Sequence, residues 1–245
     1  MTTLLNPWPA PKLDARISAH IHAWEKSQVP SPHLRGKLPF ITVSRQYGCE
    51  AIPLSFRLAE ILNERFRPSI PWVSYDRELL AKVAEQLHLK LEIVETLDGR
   101  RRDMMTELFN AVLNVKVDEA LVFRKMAEVI RSLAMRGHTV LVGRGSHLLT
   151  QDLKMGLHIR MEAPLIWRVN RVAMEREITT TDAEKLVTEQ GHQRDQFLRA
   201  FFLQDPSNPF LHDLIIDTSR FNLDQMAEIV FTALSVKFGE VLTGN

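Results

Sequence analysis

The sequence predicts an α/β protein: a doubly wound, three-layer α/β/α domain built on a five-stranded parallel sheet. Three observations carry this. Short β-branched runs alternate with longer helical patterns from Phe40 onward, which is the texture of successive βαβ units. The runs are nearly continuous in apolar residues rather than alternating, as expected of strands covered on both faces. With 245 residues and 45% hydrophobic content, the chain can also bury a large core.

Taken in order, FITVS (Phe40 to Ser44) precedes the helical LSFRLAEILNERF, and WVSYD (Trp72 to Asp76) precedes RELLAKVAEQL. TVLVGRG (Thr139 to Gly145) follows a helical pattern through Val122, Met126, Val129, Ile130 and Leu133, which Gly137 is placed to stop. LHIRMEA (Leu157 to Ala163) runs into Pro164, suited to a helix start. DLIIDTS (Asp213 to Ser219) leads into the last helix, NLDQMAEIVFTALSVKF. Residues 1–39 stand apart. Half of the twelve prolines fall there, around a short helix-compatible stretch from Leu13 to Lys26, so this part reads as an appendage to a domain spanning 40–245.

Composition narrows the function. A net charge of +1, from 31 basic and 30 acidic residues, argues against a general nucleic-acid binder. The single cysteine, Cys49, excludes an intramolecular disulfide framework and a cysteine-built zinc site. No apolar run is long enough for a membrane span, and the first twenty residues lack a secretory pattern. A cytoplasmic protein is expected, without membrane or nucleic-acid partner and without metal ligands of its own. The ten glycines, about 4% of the chain against a usual level of about 7%, exclude repetitive glycine-rich folds.

In a doubly wound sheet, ligands sit beyond the C-terminal ends of the strands. The first such turn, SRQYGCEAIP, joins a strand to a helix N-terminus and so suits phosphate. It has only Gly48 and no lysine, so by itself it is also compatible with an ordinary turn. The third strand ends in Gly143-Arg144-Gly145. There the glycines permit close backbone approach and a guanidinium fork can grip a monophosphate.

FITVSRQYG, WVSYDRELL, TVLVGRG, APLIWRVNRV and HDLIIDTS, in this order, resemble the cytidylate kinase-like family of P-loop nucleotide kinases over about Phe40 to Leu234. The resemblance implies a P-loop NTPase-like core, a helical nucleoside-monophosphate region over 77–135 and an arginine-bearing lid over 168–200. It implies transfer of the terminal phosphate of ATP, carried with magnesium, to a nucleoside monophosphate. Ser44, Arg45 and Gly48 would hold the donor. Asp76, Gly143 and Arg144 would meet the acceptor, and Arg168, Arg171 and Arg194 would clamp the transferring group.

Each position has a plainer alternative. Asp76 would equally serve as the N-cap of the helix after it, and Arg45 as a surface ion pair. The lid segment holds as many acidic as basic residues. The family's first loop reads S-R-[EQ]-[FY]-G-S-G-G-R-E, whereas here Cys49, Glu50, Ala51, Ile52 and Pro53 replace its second half. Ala51 disfavours positive φ, Glu50 sets a carboxylate where phosphate oxygens belong, and Ile52 removes a cation. A catalytically impaired nucleotide-binding or regulatory relative is therefore the alternative function, with residues 1–39 available to dock a protein partner. Arg100-Arg101-Arg102 reads as a solvated turn, and Met104 to Phe123 as core.

Overall fold

The computed structural model describes residues 15–16, 18–21, 36–80, 83, 117–205 and 208–242. Five parallel strands form one sheet: β1 (Phe40–Arg45), β2 (Val73–Tyr75), β3 (Thr139–Val142), β4 (Gly156–Glu162) and β5 (Leu214–Asp217), in the order β2-β3-β1-β4-β5. The helices are α1 (Ala51–Phe66), α2 (Val117–Arg136), the short α3 (Ser146–Leu149), α4 (Leu165–Arg176), α5 (Thr180–Phe202) and α6 (Leu223–Leu242). The α/β fold class predicted from sequence is the one found. Most of the 77–135 region, including Arg100 to Arg102 and the stretch from Met104, lies outside the described residues.

Alternation along the strands sends side chains to two layers. Ile41, Val43, Val140, Val142, Leu157 and Ile159 face α1 and α6, where Leu54, Leu58, Leu62, Val230 and Leu234 complete a fully buried cluster. Phe40, Tyr75 and Leu141 face the other way, against Leu79, Leu80, Ile130 and Leu133. Truncating a wholly enclosed residue such as Leu58 to Ala would cost about 2–5 kcal/mol.

The strand ends have identifiable causes. Trp72 stays outside β2 because its backbone pairs with the Asn63 amide, at 2.7 Å for the N–H and 2.9 Å for the carbonyl. β3 stops at Val142 because Gly143, Arg144 and Gly145 all take positive φ, at 75°, 56° and 67°. Gly137, at φ 78°, closes α2 through bonds to the Leu133 and Ala134 carbonyls. A reciprocal pair starts α6: Gln225 N–H donates to Asn222 Oδ1 and Asn222 N–H to Gln225 Oε1, a capping box.

β1 is central, with β3 on one side and β4 on the other. From β1 the chain runs to β2 on one side of the sheet, and from the neighbouring β4 to β5 on the other, so the crevice for ligands opens beyond the ends of these two strands, at Arg45. Among the described residues no helix is long and apolar enough to cross a membrane.

Candidate functional site

The crevice is built from the turn after β1. Ser44 is buried at the strand end, and Arg45, the next residue, turns its guanidinium toward β3. A Cβ on Gly143 would meet Arg45 Nη1, the end of a flexible side chain that would have to shift, while the φ of 75° is what calls for glycine at 143. Burial, followed by the charges of Arg194 and Arg144, pushes the Arg45 guanidinium down to about 9. Arg144 and Arg194 are themselves lowered, first by burial; Arg144 also feels Arg77 and Arg194. Three arginines from β1, the β3 turn and α5 thus converge, and among the described residues none of the three forms an ion pair. Arg194 lies 5.0 Å from the Tyr47 ring centroid, and its buried Nη1 has no hydrogen-bond partner.

Beside them is a cavity of about 270 Å³ whose lining includes Arg45, Gln46, Tyr47, Arg160, His192 and Arg194. Arg160 stands opposite Ser44 in the β1–β4 register, 3.5 Å from its Oγ, and donates to Glu162 Oε1 at 2.5 Å. An excess of positive charge in a low-dielectric recess favours an anion.

Arg168 and Arg171, the other two arginines expected to clamp a phosphate, are engaged within the protein. Arg168 donates from Nε to the Ala163 carbonyl at 3.0 Å and from Nη1 to the Tyr47 carbonyl at 3.2 Å. Gly48, at φ 92°, packs against its backbone, and a Cβ there would stand 2.9 Å from Arg168 Cβ. Arg171 forms an ion pair with Glu50. Within the turn, Cys49 N–H donates to the Gln46 carbonyl at 3.3 Å and Ala51 N–H to that of Cys49 at 2.9 Å. Those two donors are directed inside the loop, in contrast to the open ring of N–H groups of a glycine-rich phosphate loop.

Asp76, buried after the end of β2, serves two partners. Its Oδ1 caps the following helix through Leu79 N–H at 3.0 Å, and the same oxygen pairs with Arg16 of the N-terminal segment. Cys49 is held protonated, chiefly by burial, which raises its thiol; it lacks the environment of a reactive cysteine. Among the described residues no group of three His, Cys, Asp or Glu could hold a metal.

The structure therefore gathers Arg45, Gly143, Arg144 and Arg194, with Ser44 beneath them, and sets Arg168, Arg171 and Gly48 in the adjoining wall. Sequence reasoning missed Arg160, Tyr47 and His192 as cleft residues. Arg160 was detectable as a charged residue inside an otherwise apolar strand.

A parallel sheet ordered 2-3-1-4-5, with a cationic crevice at the end of its central strand, defines a nucleotide-kinase-like α/β protein. The sequence profile of the cytidylate kinase-like family matches residues 40–220, and the chain belongs to that family. A crystal structure of an uncharacterized protein from Eubacterium ventriosum superposes with a TM-score of 0.60 at 15% identity, covering 81% of this chain and 98% of that one. At that identity the likeness concerns the fold. No protein of curated function matches the sequence.

Proposed function

We propose that the protein is a phosphotransferase that moves the terminal phosphate of ATP to a nucleoside monophosphate. The observation that supports this most is the convergence of Arg45, Arg144 and Arg194, none of which forms an ion pair among the described residues. Burying like charges together is costly. A bound phosphate chain offsets that cost, and phosphoryl transfer requires little else than positioning and charge neutralisation.

In this reading Arg144 holds the acceptor phosphate on its glycine-flanked turn. Arg45 and Arg194 neutralise the group in transfer, and Arg168 fixes the Tyr47 to Gly48 turn. Magnesium would arrive coordinated by the donor phosphates, the described residues holding no cluster of three His, Cys, Asp or Glu. A second reading, nucleotide binding without turnover, is favoured by the Glu50–Arg171 pair and by the internally bonded turn.

A coupled kinase assay with ATP and each monophosphate, run beside calorimetric ATP titration, separates the two. Turnover is expected with at least one monophosphate. ATP binding without turnover moves the assignment to the second reading, and no triphosphate binding at millimolar concentration defeats both. Arg144→Ala is expected to weaken monophosphate binding while leaving ATP binding intact; equal loss of both contradicts its role.

A further inference from the structure

Residues 15–21 lie outside the span matched by the family profile, yet they set two side chains onto the domain beside Asp76. Arg16 is only 7% exposed; it pairs with Asp76, reaches Glu78 at 3.4 Å and lies 5.1 Å from the Phe56 ring centroid. Four residues on, one helical turn away, His20 Nδ1 is 2.7 Å from the Tyr75 hydroxyl, which also accepts from Arg136 at 3.1 Å. The segment thus grips the end of β2 and the two acidic residues that follow closely after it.

Two features distinguish this contact from a permanent structural strut. Among the described residues 15–16 and 18–21, none belongs to the three hydrophobic clusters of the domain, and the contacts that Arg16 and His20 make to Asp76, Glu78 and Tyr75 are ionic or polar. The buried Nε of Arg16 also has no partner, so the guanidinium is incompletely satisfied where it sits. Its position is at the C-terminal edge of the sheet, where the crevice opens: Asp76 directly follows β2, and the neighbouring β3 leads into Gly143, which meets the Arg45 guanidinium.

We propose that residues 15–21 are a releasable strap over the Asp76 side of the cleft. Arg16 occupies the carboxylate that a base amine or ribose hydroxyl of the acceptor would use, and a nucleoside monophosphate displaces it. This rests on the phosphotransferase reading for the identity of the displacing ligand, though not for the strap itself. A strap closed about nine-tenths of the time weakens apparent acceptor affinity about tenfold.

The test uses the full chain as wild type, Arg16→Ala and Arg16→Lys, with hydrogen exchange of amides 15–21 and calorimetry with each of the four common monophosphates. In wild type the monophosphate that binds is expected to speed exchange in 15–21 about tenfold. Arg16→Ala should show the fast exchange without ligand and bind that monophosphate about tenfold more tightly, with Arg16→Lys between the two. Unchanged or slowed exchange on binding, or weaker binding by Arg16→Ala, overturns the strap. If no monophosphate binds any variant, the phosphotransferase reading fails and the strap is judged without ligand. Its hold through the buried Arg16–Asp76 pair predicts faster exchange of 15–21 in Arg16→Ala than in wild type, and equal exchange in the two overturns it.

Discussion

Glu50 forms an ion pair with Arg171 across the gap between the β1 turn and α4, with only 15% and 6% of the two side chains exposed. The residue that stands where the family's loop has a glycine thereby neutralises Arg171 of α4. A single carboxylate alters both the electrostatics of the turn and the availability of that cation.

Glu50→Gln should therefore act in two opposite ways. Stability in the absence of ligand should fall by about 3 kcal/mol, since removing one member of a mostly buried pair leaves the other uncompensated. Triphosphate affinity should rise, because Arg171 is released. Denaturant unfolding with and without ATP measures both effects, and a variant that is destabilised without any gain in ATP binding would show that Arg171 is purely structural.

Arg45→Met should have the reverse signature. It removes a buried cation that Arg144 and Arg194 oppose and leaves an apolar chain of similar length. The ligand-free protein should gain about 1–2 kcal/mol while losing phosphate binding, the usual exchange of function for stability. A fall in melting temperature would identify Arg45 as a cation the fold itself needs.

Gly143→Ala should damage the same site from the other side. The added Cβ meets Arg45 and the backbone is held at φ 75°, so a loss of at least about 1 kcal/mol is expected. The diagnostic result is weakened phosphate binding in a folded protein, read by calorimetry beside circular dichroism. Unaltered phosphate affinity would show that the position of Arg45 beside residue 143 does not matter for phosphate binding.

Acid should destabilise the fold through buried histidines. Burial holds His147 at about 3 and His158 at about 4, against an ordinary value of 6.5. Both are neutral in the folded state, so the unfolded chain binds more protons below pH 6.5. The stabilisation is complete above pH 6.5 and is lost as pH falls toward 4, at ~1.4 kcal/mol per pH unit for each such group. Urea midpoints at pH 7.5, 6 and 5 should decline, and His147→Phe should flatten the slope; a flat wild-type profile would refute this.

What the sequence revealed of the fold depended on local signals. Gly137 marks the end of α2, Pro164 the approach to α4, and the apolar runs mark the strands, because each acts on its own few residues. The partners in the site are long-range: Glu50 with Arg171, Arg16 with Asp76, and Arg168 with the Tyr47 carbonyl. None of these is written in spacing. Arg168 and Arg171 share a helix face as expected, yet that face meets the β1 turn, so their charges are directed at a carbonyl and a carboxylate. Asp76 illustrates the same limit, since one oxygen serves as cap and ion-pair partner together.

The turn after β1 and the start of α4 are joined at four places: Ala163 N–H to Gln46 Oε1, Arg168 to the Tyr47 carbonyl, Gly48 against the Arg168 backbone, and Glu50 to Arg171. Turn and helix are consequently one mechanical piece. Any widening of the crevice to admit a ligand must come from its other borders, through α5 carrying Arg194 or the segment carrying Arg16. In the proposed phosphotransferase, the wall facing the donor phosphates would be the part of the crevice that stays in place.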